Sequence, residues 1–153
     1  MLDNGKPYHM ASGDIAAVAD CFRYFAGLTD KYSGRTLHTP DANTTGYTKK
    51  EPIGVIGLIS PWNFPLLMAT WKLAPCLAAG NTCVHKISEL TPLTSLFLAN
   101  LINKAGIPKG VVNMVPGYGK IAGETLIKSR DVLKVSFTGS TAIGRRVMEA
   151  SSQ

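Results

Sequence analysis

From Pro52 onward one pattern repeats four times: a short apolar run, a polar turn, then a stretch whose apolar residues recur at helical spacing. The first run, Ile53 to Ile59, is apolar without interruption, the mark of a strand buried on both faces. Pro65 to Ala79 reads as a helix, because Leu66, Thr70, Leu73 and Leu77 share a face and Gly80-Asn81 supply a stop. Thr82 to Lys86 is a second strand. Thr91-Pro92, an N-cap followed by proline, opens a helix running through Leu93, Leu96, Phe97 and Leu101 to Gly106. Gly110 to Val115 is a third strand, followed by a helix from about Gly119 to Lys128. Val132 to Phe137 is a fourth, and Ser140 begins a last helix through Ile143, Val147 and Met148. Strands and helices alternating over short connections predict an α/β fold, a doubly wound parallel sheet with helices on both faces.

The first 51 residues differ in character. Ser12 is placed to cap a helix carrying Ile15, Val18, Ala19, Phe22, Phe25 and Ala26 on one face. Ser33 to Thr48, rich in Thr, Gly, Asp and Asn, reads as loop and edge strand. The chain therefore divides into residues 1–51, a helix plus a polar segment, and residues 52–153, the strand–helix repeats.

Composition removes several function classes. With 45% apolar and 17% charged residues, the chain belongs with globular domains rather than disordered ones. No apolar run approaches the roughly 20 residues of a membrane span, and Met1 to Lys6 has no apolar stretch behind it that would make a signal peptide. The net charge is +6, yet the basic residues are scattered. Lys49-Lys50 and Arg145-Arg146 are the only doublets, and no nucleic-acid motif accompanies them, so no nucleic-acid partner is expected. Three cysteines, Cys21, Cys76 and Cys83, cannot all pair and point to a reducing compartment, the cytoplasm first. Neither their spacing nor the positions of His9, His38 and His85 suit a metal; Cys76 and Cys83 read as packing residues.

In a parallel sheet of this kind ligands bind beyond the carboxyl ends of the strands, at helix N-termini. Polar residues cluster there. After the first strand, Ser60-Pro61-Trp62-Asn63-Phe64-Pro65 sets an amide at a helix start, either an N-cap or a donor to a reacting carbonyl. Trp62 is either a core residue or a wall for a cofactor. After the second strand, Lys86 and Glu89 form either an ordinary ion pair or a ribose-binding set in which the carboxylate accepts from both hydroxyls and disfavours a 2′-phosphate. After the third, Gly117, Gly119 and Gly123 approximate a dinucleotide fingerprint with one residue too many, or form a plain glycine turn. After the fourth, Thr138-Gly139-Ser140-Thr141 offers hydroxyls and amides, as a pyrophosphate seat or a simple cap.

Taken together and in order, Leu2 to Pro7, Pro61 to Pro65, Lys86 to Pro92, Gly106 to Gly119 and Lys134 to Gly144 resemble the aldehyde dehydrogenase superfamily, particularly its NAD-dependent cytosolic, mitochondrial and retinal dehydrogenase class. The resemblance covers nearly the whole chain. It implies a Rossmann-like coenzyme-binding domain, without the catalytic domain, and NAD as cofactor. Asn63 would be the oxyanion-hole amide. Ile59, Ser60 and Trp62 would line the coenzyme cleft, Lys86 and Glu89 would hold the adenine ribose, and Gly119 and Gly123 would allow close approach beside the adenine. Gly139, Ser140 and Ile143 would meet the pyrophosphate, and Lys72 matches a lysine near the active centre. Ile87 stands where proline is usual, and Ser60 where an apolar residue is common. Tyr47 to Glu51 would fall in a strand region used for oligomer contacts, so a homo-oligomer is expected of the full-length form.

In that family a cysteine attacks the aldehyde, hydride passes to NAD, and a glutamate activates water to release the acid. Both residues lie beyond the Phe137-Thr138-Gly139-Ser140-Thr141 motif and are absent here. The expectation is an NAD-binding portion of an aldehyde-oxidising enzyme, inactive alone, acting in the cytoplasm or the mitochondrial matrix. The alternative is an inactive NAD-binding or structural chain.

Overall fold

The structure, a computed structural model, describes residues 1–152. Four parallel strands form the central sheet: β3 (Val55–Ile59), β4 (Thr82–Ile87), β5 (Val112–Pro116) and β6 (Lys134–Phe137), in the order β5-β4-β3-β6. A separate antiparallel pair, β1 (Thr36–Leu37) and β2 (Gly46–Tyr47), lies within the polar segment. The helices are α1 (Tyr8–Ala26), α2 (Pro65–Ala78), α3 (Leu93–Lys104), α4 (Glu124–Lys128) and α5 (Thr141–Ser151). The expected doubly wound α/β sheet is present.

Register explains which residues meet. Ile56 and Leu58 of β3 sit beside Cys83 and His85 of β4, and side chains alternate between faces along a strand. One face therefore gathers Ile56, Leu58 and Cys83, which pack with Ala69 and Leu73 of α2 and Leu98 of α3. Phe22 of α1 reaches the same cluster. On the opposite face Gly57 faces Leu126 of α4 and Val132. A Cβ at Gly57 would lie 2.9 Å from Val132 Cγ1, so the glycine lets that layer approach the sheet closely.

Helix α2 begins with Pro65 at its first position, where the missing N–H is not needed. It ends at Gly80, whose φ of +74° is the left-handed conformation a helix stop favours. The adjoining Asn81 is buried, and its Oδ1 accepts from the backbone N–H groups of Ile53 (2.6 Å) and Gly54 (3.0 Å). One side chain thus fixes the entry to β3, a role the reading of Gly80-Asn81 as a stop does not contain.

Several helix starts differ from expectation. Helix α1 begins at Tyr8 after Pro7, and Ser12 lies exposed within it rather than at its cap. Proline at the preceding position already directs the chain into the helix, without a side-chain cap. Thr91 does not cap α3. Its hydroxyl donates to the Trp62 carbonyl at 3.2 Å, and the cap is Asp3, whose carboxylate accepts from Leu93 N (3.0 Å) and Thr94 N (2.9 Å). The stretch expected as a helix from Gly119 opens with a wider turn of π type, Gly119–Gly123, before α4.

Candidate functional site

The chain runs outward from β3 to β4 to β5, then crosses back to lay β6 on the other flank of β3. The order of the strands reverses between β3 and β6, and the crevice at their carboxyl ends is where such sheets bind ligands. Two backbone bonds align the strand ends at one level: Ser60 N–H to Lys86 O (3.2 Å) and Thr138 N–H to Ile59 O (3.1 Å). The loops after β3, β4 and β6 therefore leave the sheet side by side.

Between β3 and α2, Pro61 and Pro65 bracket Trp62-Asn63-Phe64. The Asn63 carbonyl accepts from Asn4 Nδ2 (3.2 Å), the Trp62 carbonyl from Thr91, and Lys6 Nζ lies 3.5 Å from the centre of the Phe64 ring. The backbone is thus held from two sides, while the side chains of Trp62 and Asn63 are exposed. Phe64, not Asn63, occupies the cap position of α2, and no side chain caps that helix. Among the described residues the Asn63 amide makes no hydrogen bond of its own, which leaves its N–H groups available to a ligand.

After β4, Lys86 is 7% exposed, and its Nζ lies 2.9 Å from Glu89 Oε2. Burial acts to raise the Glu89 carboxyl, but the hydrogen bond and charge of Lys86 and a backbone N–H outweigh it and hold the group below the usual carboxylate range. Glu89 is the more exposed of the two, so an anionic acceptor faces outward with its cation behind it.

After β5 comes the wide turn. A Cβ added at Gly119 or Gly123 would meet nothing within 4 Å, and neither has a positive φ. Among the described residues no other side chain crowds either position; Gly119 is exposed at the start of the turn, whereas Gly123 is buried at its end. After β6, a Cβ at Gly139 would lie 2.5 Å from Cζ of Phe137, so here packing within the fold does require glycine. Ser140 caps α5, its Oγ accepting from Ile143 N at 3.4 Å. Thr138 to Ile143 are all exposed, so this helix start is open to solvent.

On the opposite side of the crevice Lys72 spans from α2 to β6. Its Nζ donates to Thr138 Oγ1 (2.8 Å) and Ser136 Oγ (3.3 Å), and burial lowers its pKa. Ser60 is 4% exposed and its hydroxyl lies 2.9 Å from His85 Nε2, on the α2–α3 face of the sheet. Its backbone remains at the crevice, while the side chain is turned inward. His85 is fully buried, and its pKa is pushed down to about 3, first by burial and then by the charge of Lys72. The ring is neutral. The sequence gives no cluster around His85, and only strand register, Leu58 opposite His85, places Ser60 next to it.

Comparison with known proteins bears on the whole chain. The profile of the aldehyde dehydrogenase family matches residues 1–153. The chain is 54% identical to the mitochondrial aldehyde dehydrogenase of Sus scrofa, over 99% of this chain and 29% of that one. It is 52% identical to an aldehyde dehydrogenase of Aspergillus niger, over 99% and 30%. Among solved structures, PnpE in complex with nicotinamide adenine dinucleotide is 51% identical with a TM-score of 0.96, covering 99% of this chain and 31% of that one. The NAD+ complex of aldehyde dehydrogenase from Bacillus cereus is 48% identical with a TM-score of 0.96, covering 99% and 31%. The chain thus spans about 30% of the length of these relatives. Family profile, close relatives and superposable structures agree, and the chain belongs to the aldehyde dehydrogenase family.

Proposed function

We propose that this chain forms the coenzyme-binding layer of an NAD-dependent enzyme oxidising an aldehyde to a carboxylic acid. The observation that carries the reading is the alignment of three loops at the reversal point of the sheet, with the Lys86–Glu89 pair at its rim. Relatives of matching fold are described in complex with NAD, and the residues here fit such a group. The Glu89 carboxylate accepts from two ribose hydroxyls and repels a 2′-phosphate, and the buried Lys86 keeps it charged. Gly119 and Gly123 leave room beside the adenine. At the start of α5, Gly139 and Ser140 would present backbone N–H groups and the Ser140 hydroxyl to the pyrophosphate, with Ile143, whose N–H bonds Ser140 Oγ, beside it. Ile59, the Ser60 backbone and Trp62 wall the crevice.

Bound NAD supplies the hydride acceptor. Asn63 donates an amide N–H to the aldehyde oxygen, stabilising the charge that develops there. Its backbone is pinned before substrate arrives, so orienting it costs little at the moment of reaction. The thiol nucleophile and the general base come from outside these residues. Cys76 of α2 and Cys83 of β4 are buried in the core cluster, and Cys21 lies on α1, none of them in the loops that form the crevice. The 153-residue polypeptide alone therefore binds NAD but oxidises no aldehyde. The full-length form works as a homo-oligomer, in the cytoplasm or the mitochondrial matrix.

Titrating the purified chain with NAD and with NADP, followed by intrinsic tryptophan fluorescence, tests the reading. NAD binding that exceeds NADP binding, with the preference lost in Glu89→Gln, is the expected result. Equal binding of both coenzymes, or a preference surviving in Glu89→Gln, would overturn the ribose assignment. NADH formation from an aldehyde by this chain alone would overturn the placement of the nucleophile.

A further inference from the structure

Two thiols whose spacing marks them as packing residues meet in the structure. Cys76, near the end of α2, and Cys83, the second residue of β4, belong to the same core cluster. Cys76 Sγ lies 3.9 Å from the carbonyl oxygen of Thr82, whose peptide bond leads into Cys83. The turn between them is drawn tight by Asn81, whose backbone N–H and side-chain Nδ2 both donate to the Cys76 carbonyl, at 3.1 and 3.4 Å. This closure holds the end of α2 against the start of β4, with both thiols on the same core cluster.

The two sulfurs are unequal. Cys83 is fully buried, and the neighbouring Cys76 thiol together with burial pushes its pKa up. The Cys76 thiol is lowered by the neighbouring Cys83 thiol, with help from the charge of Lys134, against the opposing effect of burial. Cys76 also lines a solvent-connected cavity of about 550 Å³ between the end of α1 and α2, together with Trp71, Lys72, Lys134 and Ser136. One thiol is reachable and flanked by positive charge. The other is fully buried in the same core cluster and does not line the cavity.

We propose that Cys76 and Cys83 form an oxidisable dithiol, Cys76 reacting with a hydroperoxide that enters through this cavity and Cys83 closing a disulfide. The Cys76 thiolate attacks one peroxide oxygen, the O–O bond breaks, and a sulfenic acid forms as water or an alcohol leaves. The Cys83 sulfur then attacks the Cys76 sulfur. The S–S bond forms, the S–O bond breaks, and the hydroxyl departs as water with the Cys83 proton. Two thiols lose two electrons, and the peroxide gains them.

The readout is direct, because Leu73 to Lys86 is a single tryptic peptide containing both thiols. The folded chain is treated with hydrogen peroxide, denatured, alkylated, digested and weighed. The expected peptide is two hydrogens lighter and unalkylated, while Cys21 still takes the alkyl group, and the link closes faster in the folded chain than in urea. In Cys83→Ser, dimedone captures a sulfenic acid at Cys76; in Cys76→Ser, Cys83 stays reduced. A doubly alkylated peptide after oxidation would overturn the proposal, as would a link that closes no faster folded than unfolded. The wild-type comparison stands even where a variant fails to fold.

Discussion

Ser60 Oγ lies 2.9 Å from His85 Nε2 on a sheet face that is otherwise lined by Ile56, Leu58, Cys83 and Ile87. The pair joins the residue at the carboxyl end of β3 to the residue before Lys86. It therefore ties the loop carrying Asn63 to the loop carrying Glu89. Its cost is visible at the other ring nitrogen, since His85 Nδ1 is buried with no partner among the described residues.

Burial makes this histidine a source of acid sensitivity. Its folded pKa, about 3, lies below the 6.5 of a free histidine. The unfolded chain therefore binds the extra proton first as pH falls. The contribution is fully present above the unfolded pKa and is lost as pH drops from there toward the folded value. The loss approaches roughly 1.4 kcal/mol per pH unit, or about 2 kcal/mol near pH ~5. Urea midpoints measured across this range should fall steeply for the wild type and more gently for His85→Gln, which keeps a hydrogen-bonding side chain without the titration. Parallel slopes for the two proteins would show that His85 is not the group responsible.

Gly119 and Gly123 separate stability from coenzyme binding. Because an added Cβ meets no side chain or backbone beyond its own helical turn at either position, Gly119→Ala and Gly123→Ala should leave the unliganded fold as stable or raise it by about 0.4–1 kcal/mol through a less flexible unfolded chain. If the turn lies against the adenine, the same methyl group obstructs that approach, and NAD affinity should fall by roughly tenfold, about 1.4 kcal/mol. Thermal melting and NAD titration on the same samples distinguish the effects. Unchanged affinity in both variants would remove the turn from the coenzyme site.

Asp3 stabilises α3 from ninety residues away in the chain. Its carboxylate serves two N–H groups at that helix start, a cap whose removal ordinarily costs about 1 kcal/mol, within 0.5–2. Asp3→Ala should show that loss as a lower urea midpoint with an unchanged slope, and Asp3→Asn should recover much of it. An Asp3→Ala protein as stable as wild type would mean that the segment ahead of α1 does not dock on α3 in solution.

That cap also marks the boundary of what the sequence makes legible. The apolar run Ile53 to Ile59 and the helical spacing of Leu66 to Leu77 carry their own periodicity, so the strands, the helices and their winding can be read locally. Pro65 and Gly80 fix the ends of α2 for reasons internal to each residue. Ser140 likewise reads as a cap because its partner, Ile143, is three residues away. Asp3 and Thr91 fail that test: both have side chains that satisfy groups elsewhere in the fold, and nothing local distinguishes Thr91 from an ordinary cap. The Ser60–His85 and Cys76–Cys83 meetings depend on sheet register and helix placement, which exist only once the fold is assembled. The glycines at 119 and 139 look alike in sequence; only the surrounding space shows that one lies against the Phe137 ring and the other against no side chain.

The open surface of the chain leads to the last prediction. Its solvent-accessible area is 10242 Å², whereas a compact monomer of 16.3 kDa exposes about 7,500 Å². Much of the excess is apolar: Tyr8, Ile15, Leu93 and Phe97 line one broad groove between α1 and α3, and Trp71 stands 53% exposed on α2. Contiguous apolar surface of this kind drives association. On size-exclusion chromatography the isolated chain should elute ahead of a 16.3 kDa globule, more so as concentration rises, and should bind a hydrophobic dye. Replacing Phe97 and Leu101, two groove residues one turn apart on α3 and outside the coenzyme crevice, with Ser should move elution toward the monomer while leaving NAD binding intact. A wild-type chain that elutes as a compact monomer at every concentration would mean that these faces close on one another in solution. The groove would then be part of the core of this chain rather than a surface awaiting a partner.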